Sequence, residues 1–274
     1  MKRLVALLLC LLMVAMLAAC SEKEEKNDGG DDEEIVTEVT VNGDTYTFSE
    51  VDGDSVRITG FDTVNDSAHE VAIPAYLDGK LVVEISEEAF ASKSSISKII
   101  FPTEADFLAG NPDFVMAEYS LKIEAAAFRG CDNLTELTLP AYVKEMDEFA
   151  FYECTLLRSV TFEDGGQLTE IAKGAFACCP ALESVTISGN VKVIGMAAFF
   201  ECIKLENLTL ADGVVELGAQ SFQRCKVLAT VSLPATITMI GANAFSDCDA
   251  LTAVNYSGSS EQVLNYIDEL NLPQ

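Results

Sequence analysis

One sequence pattern recurs seven times along this 274-residue chain and constrains its fold more than any other feature. Each copy centres on a phenylalanine that follows alanine or serine. These phenylalanines are Phe90, Phe128, Phe151, Phe176, Phe199, Phe222 and Phe245. Their separations are 38, 23, 25, 23, 23 and 23 residues. A fixed period in the twenties indicates a solenoid, in which stacked units bury their apolar faces against one another.

Four other positions stay apolar in step with the phenylalanine. In the copy around Phe199 they are Ile194, Leu205, Leu208 and Leu210. The last two alternate with polar residues, so we predict one short strand per unit with both side chains turned inward. Between the phenylalanine and the first leucine the apolar spacing is three, which favours a single turn of α- or 3₁₀-helix. The predicted fold is an α/β solenoid with a parallel strand ladder and short helical turns.

This unit resembles the repeat of the BspA-like bacterial leucine-rich repeat proteins, roughly Ile-Gly-x-x-Ala-Phe-x-x-Cys-x-x-Leu-x-x-Val-x-Leu-Pro. The matching residues of the last copy are Ile240, Gly241, Ala244, Phe245, Cys248, Leu251 and Val254. The match covers about residues 71–256, and the first copy departs from it with Lys93 in place of cysteine. The resemblance implies a leucine-rich-repeat solenoid and an adhesion-type role, such as binding of extracellular matrix proteins.

Six of the nine cysteines lie three positions after an aligned phenylalanine. They are Cys131, Cys154, Cys179, Cys202, Cys225 and Cys248. We interpret them as small buried side chains that pack as hydrophobes. Disulfides between neighbouring units and a metal site are the alternatives. Both are less favoured, because parallel Cβ directions do not suit a disulfide and no histidine accompanies the thiols, so we expect no metal and no cofactor.

The first twenty residues have the features of an export signal. Lys2 and Arg3 precede an apolar run over 4–16, which is short for a membrane span, and Leu-Ala-Ala-Cys ends at Cys20. This ending resembles a bacterial lipobox, which implies a lipoprotein signal peptide over 1–19 and a lipid on the Cys20 sulfur. An ordinary secretory signal and an uncleaved anchor are the alternatives. We therefore expect an extracytoplasmic protein, lipid-anchored to the bacterial cell membrane or surface.

The segments that flank the repeats, which we place at 81–256, have different compositions. Residues 20–34 are rich in acidic side chains, and we predict a disordered tether there. Residues 35–80 alternate like strands with turns at Asn42-Gly43 and Asp52-Gly53, which predicts a small antiparallel β-rich N-terminal cap. Over 257–274 we predict a helical C-terminal cap, with Ser260 as N-cap. Its apolar residues at helical spacing are Val263, Leu264, Ile267 and Leu270.

Two sets of residues form the candidate binding surface. The first set points outward from the predicted strands and consists of Glu136, Thr138, Ser159, Thr161, Ser184, Thr186, Asn207, Thr209, Thr230 and Ser232. Strand propensity alone also explains many of these hydroxyl residues. The second set is Phe107 and Phe114, in an insertion over 103–119. These aromatics either pack against the flank of the solenoid or contact a partner, since long insertions commonly carry function.

Charge and residue types limit the function. The formal net charge of −27 disfavours nucleic acid as a partner. The single histidine, His69, lies in a polar stretch, where we expect it to be solvated, and we identify no catalytic residue and expect no enzyme. Two functions remain. One is a cell-surface lipoprotein that binds an extracellular protein or glycan, and the other is a structural envelope lipoprotein without a dedicated ligand.

Overall fold

The computed structural model describes residues 36–64 and 67–270 of the chain. The predicted signal peptide, Cys20, the tether over 20–34 and the last four residues of the predicted C-terminal cap lie outside these ranges. Among the described residues, no helix has the length and apolar character needed to cross a membrane. The described chain is a solenoid of parallel strands with two short helices, which confirms the predicted fold class.

The N-terminal cap is antiparallel, as the sequence predicts. Its strands are β1 (Thr37–Val41), β2 (Asp44–Glu50) and β3 (Ser55–Thr63). Asn42 and Gly43 connect the first two with φ angles of 55° and 93°, the left-handed conformation that an Asn-Gly hairpin turn needs. The third strand then pairs in parallel with a strand of the repeats, so the cap and the repeats share one sheet.

Each repeat unit contributes two strands to parallel ladders, whereas the sequence predicted one. The first ladder contains β4 (His69–Ala72), β7 (Ile96–Ile100), β9 (Glu136–Leu139), β11 (Ser159–Phe162), β13 (Ser184–Ile187), β15 (Asn207–Leu210), β17 (Thr230–Leu233) and β19 (Ala253–Tyr256). The second ladder contains β6 (Lys80–Ile85), β8 (Leu121–Ile123), β10 (Val143–Met146), β12 (Glu170–Ile171), β14 (Val193–Ile194), β16 (Glu216–Leu217) and β18 (Met239–Ile240). A short strand, β5 (Tyr76–Leu77), pairs antiparallel with β6.

The second ladder arises because the isoleucine column and the residue before it pair with the next unit. Ile194, for example, lies opposite Leu217, and Val193 lies opposite Glu216. The sequence predicts only an interior position for this column. Two paired residues per unit are too few for the alternation by which strands are recognised in a sequence.

The segment around each aligned phenylalanine folds as successive turns, and the predicted helical turn is not formed. In one unit the N–H of Phe200 donates to the carbonyl of Ala197 at 3.1 Å. Ala197 and Glu201 have φ angles of 55° and 58°, and left-handed residues at this spacing prevent a continuous helix. The N–H groups of Ala197, Phe199 and Glu201 donate to carbonyls of the next unit instead. These turns therefore join neighbouring coils along a third side, in addition to the two ladders, whose pairing is broken between β10 and β12 and between β15 and β17.

The seven aligned phenylalanines form one continuous stack in the core. All are at most 2% exposed. Consecutive ring centroids are 4.9–5.6 Å apart, and neighbouring planes deviate by 16° or less. Phe61 of the N-terminal cap stacks on Phe90 at 5.0 Å, and Tyr266 contacts Phe245 edge-on at 6.5 Å. Both caps thus cover the ends of the stack with an aromatic ring.

The six aligned cysteines are buried and free, and each thiol donates a hydrogen bond. Each donates to the carbonyl oxygen of the aligned phenylalanine in the preceding unit, at 3.2–3.5 Å, and Cys179 also contacts the carbonyl of Ala177 at 3.9 Å. Burial raises the pKa of the Cys202 thiol to about 12, so this thiol keeps its proton at neutral pH. The cysteine column therefore links the units by S–H···O bonds in addition to the packing that the sequence predicted.

The insertion over 103–119 packs against the flank of the solenoid. It contains helix α1 (Glu104–Gly110) and a 3₁₀ turn over Met116–Glu118. Phe107 is fully buried. It stacks on Phe114 with centroids 4.7 Å apart and meets Tyr119 at 4.5 Å. The assignment of Phe107 to the binding surface is therefore wrong, because the insertion carries its own aromatic cluster that covers this ring.

The C-terminal cap is helix α2 (Glu261–Glu269), which closes the last unit. The side-chain amide of Gln262 accepts from the N–H of Ile240 at 2.9 Å and donates to its carbonyl at 2.8 Å. Ser260 precedes the helix as predicted, but its hydroxyl donates to the Thr238 carbonyl and does not cap the helix. Val263 is buried, whereas Leu264 is 44% exposed. The side chains of Ser260 and Gln262 thus bond to backbone groups of Thr238 and Ile240, which a further unit would otherwise bond to.

Candidate interaction surface

The outward residues of the first ladder form a polar surface, which we call the strip. It consists of Glu136, Thr138, Ser159, Thr161, Ser184, Thr186, Asn207, Thr209, Thr230 and Ser232. Ser159 and Ser184 are half-buried and the others are exposed. Residues of one column lie directly opposite one another. Thr161, for example, lies opposite Thr138 on one neighbouring strand and opposite Thr186 on the other. Adjacent strands are about 4.8 Å apart, so the strip repeats its hydroxyl groups at that spacing.

Alternation along each strand produces the strip. In β11, Val160 and Phe162 are buried, and Ser159 and Thr161 face outward. This pattern agrees with the sequence analysis, because a side-chain period of two forces the polar residues to the face opposite the core. The position of the strip therefore follows from the packing of the apolar columns.

The strip is interrupted between its fourth and fifth strands. The pairing of the first ladder ends at β15 and resumes between β17 and β19. At this break Leu208 and Leu210 are only half-buried, unlike the equivalent Val185 and Ile187. The continuous part of the strip therefore runs from Glu136 to Thr209, and Thr230 and Ser232 belong to a separate two-stranded segment.

Charged residues mark the start of the strip and its border. Lys98 lies opposite Glu136 in the ladder, with Nζ 2.8 Å from Oε1. The hydrogen bond to Glu136 and its negative charge raise the pKa of Lys98. Arg158 and Glu183, one residue before the outward positions of β11 and β13, pair at 3.6 Å. Because these pairs are exposed, they contribute little to stability and remain available to exchange for a charged ligand.

A cavity of about 750 Å³ adjoins the strip where the strands β7 and β9 end. Thr138 belongs to both the strip and the cavity wall. The other walls include Ile100, Met116, Tyr142 and Glu163. A second cavity of about 500 Å³, walled in part by Phe114, borders the insertion as well. The half-buried Phe114 therefore takes part in a concave surface, whereas Phe107 lies beneath it.

His69 is paired, which corrects the prediction that it is solvated. Its Nε2 lies 2.9 Å from Asp44 Oδ1, and its Nδ1 lies 3.1 Å from the carbonyl oxygen of Ser67. Both partners are acceptors, so only the doubly protonated imidazolium satisfies both contacts. The Ser67 carbonyl and the Asp44 carboxylate raise the pKa of His69. The pairing ties β2 to β4 and leaves neither ring nitrogen open as a catalytic base.

Acidic and cysteine residues are numerous, but they are not gathered as metal ligands. Within residues 36–64 and 67–270, no group of three or more histidine, cysteine, aspartate or glutamate side chains is arranged to hold a metal ion. The thiols instead bond to carbonyls of neighbouring units. The strip and the adjoining cavity are therefore the surfaces that we consider for function.

Known structures similar to this chain are repeat proteins of bacteria. One is a leucine-rich repeat protein from Eubacterium ventriosum, with 20% identity and a TM-score of 0.61, over 77% of this chain and 50% of that protein. Another is the pneumococcal vaccine antigen PcpA, with 19% identity and a TM-score of 0.52, over 82% of this chain and 51% of that protein. The chain spans about half the length of each, and the likeness concerns the fold.

Sequence comparison identifies the repeats themselves. No curated protein matches the chain significantly. The BspA type leucine rich repeat region, in six copies, matches residues 121–252. These residues include the strip from Glu136 to Ser232 and the cysteine column. Over residues 121–252 this chain is therefore similar to the BspA type of leucine-rich repeat.

Proposed function

We propose that this protein is a bacterial cell-surface lipoprotein whose strip binds an extracellular protein or glycan in an adhesion-type interaction. The strip carries this proposal, because it presents exposed polar side chains in register on a rigid array of strands. Repeat folds commonly use such extended surfaces for binding. The proposal includes a lipid on Cys20 and excludes a cofactor, nucleic acid and catalytic activity.

The affinity of a single strip should be modest. Tight interfaces are usually anchored by tryptophan, tyrosine and arginine, whereas the strip presents hydroxyl and amide groups and one carboxylate. A lipid on Cys20 would concentrate many copies on one membrane. Simultaneous contacts of many copies raise the overall affinity without new contacts. The proposal therefore favours a multivalent partner, such as a matrix protein or a polysaccharide.

The second candidate function is a structural envelope lipoprotein without a dedicated ligand. The same scarcity of anchoring side chains on the strip favours it, and strand propensity alone accounts for exposed threonines. The two functions differ in one measurable respect. Only the binding function depends on the identity of the outward residues.

The binding proposal is tested with the double variant Thr161→Arg and Thr186→Arg. The full chain and this variant are screened against arrays of matrix proteins and glycans and in cell-adhesion assays. Two arginines in the middle of the strip should abolish a specific signal by steric obstruction. The control is Glu170→Arg at an exposed position of the second ladder, which changes the net charge by as much as the two threonine substitutions do. Equal binding by all three proteins would show that the strip is not the binding surface, and binding by none would favour the structural function.

The anchoring part of the proposal is tested separately. In cells, Cys20→Ala should move the protein from the membrane fraction to the medium or periplasm, and mass spectrometry of the native protein should find a lipid on Cys20. Recovery of unlipidated protein with an intact N-terminus would contradict this part and leave the role of the strip open to its own test.

A further inference from the structure

The cavity beside the strip lies where both departures from the 23-residue period meet. The first departure is the insertion over 103–119, and the second is two extra residues in the segment 163–170. Residues of both segments line the cavity. The side-chain amide of Gln167 donates to the carbonyl of Tyr119 at 2.8 Å and so joins the two segments. The cavity thus lies between the two irregular segments and regular repeat residues such as Ile100 and Thr138.

The floor of this cavity is apolar. Ile100 is 37% exposed there, and Phe101 and Met116 are half-buried. The hydroxyl of Tyr142 donates to the carbonyl of Pro102 at 2.7 Å, so its proton is not available to a ligand. A floor of this kind gains free energy by covering an aliphatic or aromatic side chain.

The charge at the cavity is entirely negative. Glu104 and Glu163 are exposed at its border, and no lysine or arginine is among the described residues that line it. Neither carboxylate forms an ion pair within the described part of the chain. Glu163 Oε2 accepts the N–H of Ala141 at 3.0 Å, which holds this carboxylate in place. A cationic group next to an apolar one complements such a site.

We infer that this cavity anchors a polypeptide ligand of the strip, and that it binds an apolar side chain flanked by lysine or arginine. The inference rests on the proposed function, because Thr138 makes the cavity and the strip one surface. Adjacent side chains of an extended segment point to opposite faces, but the long stems of lysine and arginine can turn back to the cavity border, where both carboxylates are exposed. A neutral glycan lacks the charge that the two glutamates select.

The test follows the methyl resonance of Met116 in the full chain with ¹³C-methyl methionine. The probe is the peptide acetyl-Gly-Lys-Leu-Lys-Gly-amide, and the Met116 signal is assigned with Met116→Leu. We expect this signal to shift saturably at millimolar peptide. The exposed Met239 on the second ladder should not shift. Peptides with glutamate in place of lysine, or serine in place of leucine, should leave both signals unchanged.

The double variant Glu104→Gln and Glu163→Gln should weaken binding of the probe about tenfold, since each exposed ion pair contributes a few-fold at most. Glutamine keeps the acceptor for Ala141, so folding should be unaffected. The matched control is Glu206→Gln, an exposed carboxylate outside the cavity. It should bind as the native chain does.

Three outcomes would overturn the inference: no shift of Met116, equal shifts of Met116 and Met239, or equal binding of the basic and acidic peptides. None of them would overturn the proposed function, because the strip is tested by Thr161→Arg and Thr186→Arg. Conversely, saturable binding of the probe at Met116 that is lost in the double glutamine variant would support the peptide site in the cavity. This holds whatever the arrays of matrix proteins and glycans show for the strip.

Discussion

The molecule has a regular half, with the repeats from Phe176 to Phe245, and an irregular half, with those from Phe90 to Phe176. Comparing them shows which residues stabilise the core and which shape the surface. In the later half every unit has 23 residues, whereas in the earlier half the separations are 38, 23 and 25. The phenylalanine stack crosses both halves without a break. The cavities of about 750 and 500 Å³ lie in the irregular half. Repetition thus supplies the core, and departures from it shape the surface.

The largest effect should come from breaking the stack in the regular half. Phe199 lies fully buried between Phe176 and Phe222, with centroids 5.4 and 5.3 Å away. Phe199→Ala should lower the free energy of unfolding by about 3–5 kcal/mol, because the stack cannot close over the cavity. Thr209→Ala on the strip should cost less than about 1 kcal/mol. Equal urea midpoints for the two variants would contradict the assigned orientations.

A smaller effect is expected for the equally buried ring of the insertion. Phe107→Ala removes the centre of the aromatic cluster with Phe114 and Tyr119. Because the insertion can open without unfolding the stack, we expect a cost of about 1–3 kcal/mol. Amide hydrogen exchange should accelerate over residues 104–118 and remain slow around Phe199. Loss of protection in both regions together would show that the two halves unfold as one unit.

The comparison also explains how far the sequence could be interpreted. The columns of Phe199, Leu208 and Leu210 predicted the stack, the first ladder and the strip. Residues buried at the same place in every unit must be apolar, and this periodicity is visible in a single sequence. The second ladder has only two paired residues per unit, and left-handed turns at residues such as Ala197 leave no compositional mark when the residue is not glycine. Neither feature was predicted.

The insertion was the least predictable part of the candidate site. An aromatic residue such as Phe107 in a long irregular segment is compatible with burial or with exposure, and only tertiary contacts decide between them. The cavity beside the strip depends on the contact of Gln167 with the Tyr119 backbone. These residues are 48 positions apart, and no local pattern connects them.

The C-terminal cap tests whether the end of the regular half is closed by specific hydrogen bonds. Gln262→Ala would leave both the N–H and the carbonyl of Ile240 without the partners that the side-chain amide provides. We expect a loss of about 1–2 kcal/mol in urea denaturation. Asn265→Ala, at an exposed position of the same helix, is the control. A cost no greater than that of the control would mean that water replaces the amide.

The smallest effect should appear at the opposite end, where the cap meets the first strand of the repeats. The contacts of His69 with Ser67 and Asp44 require the imidazolium and raise its pKa. Because the folded pKa is raised, the pairing contributes fully below the unfolded value of about 6.5 and is lost as the pH rises through the folded value. We expect an effect of about 1 kcal/mol or less, because solvent near the surface partly screens the pair.

A proton NMR titration measures this pKa directly, because the chain has a single histidine. Asp44→Asn keeps an acceptor for Nε2 but removes the charge, so it should lower the pKa of His69 and reduce the loss of stability as the pH rises above about 6.5. Asp62→Asn, an exposed carboxylate of β3, should change neither quantity. If Asp44→Asn leaves the pKa unchanged, the charge of Asp44 does not hold the cap to the repeats. The junction would then depend on strand pairing and on the stacking of Phe61 on Phe90, as regular units depend on their strands and their phenylalanine stack.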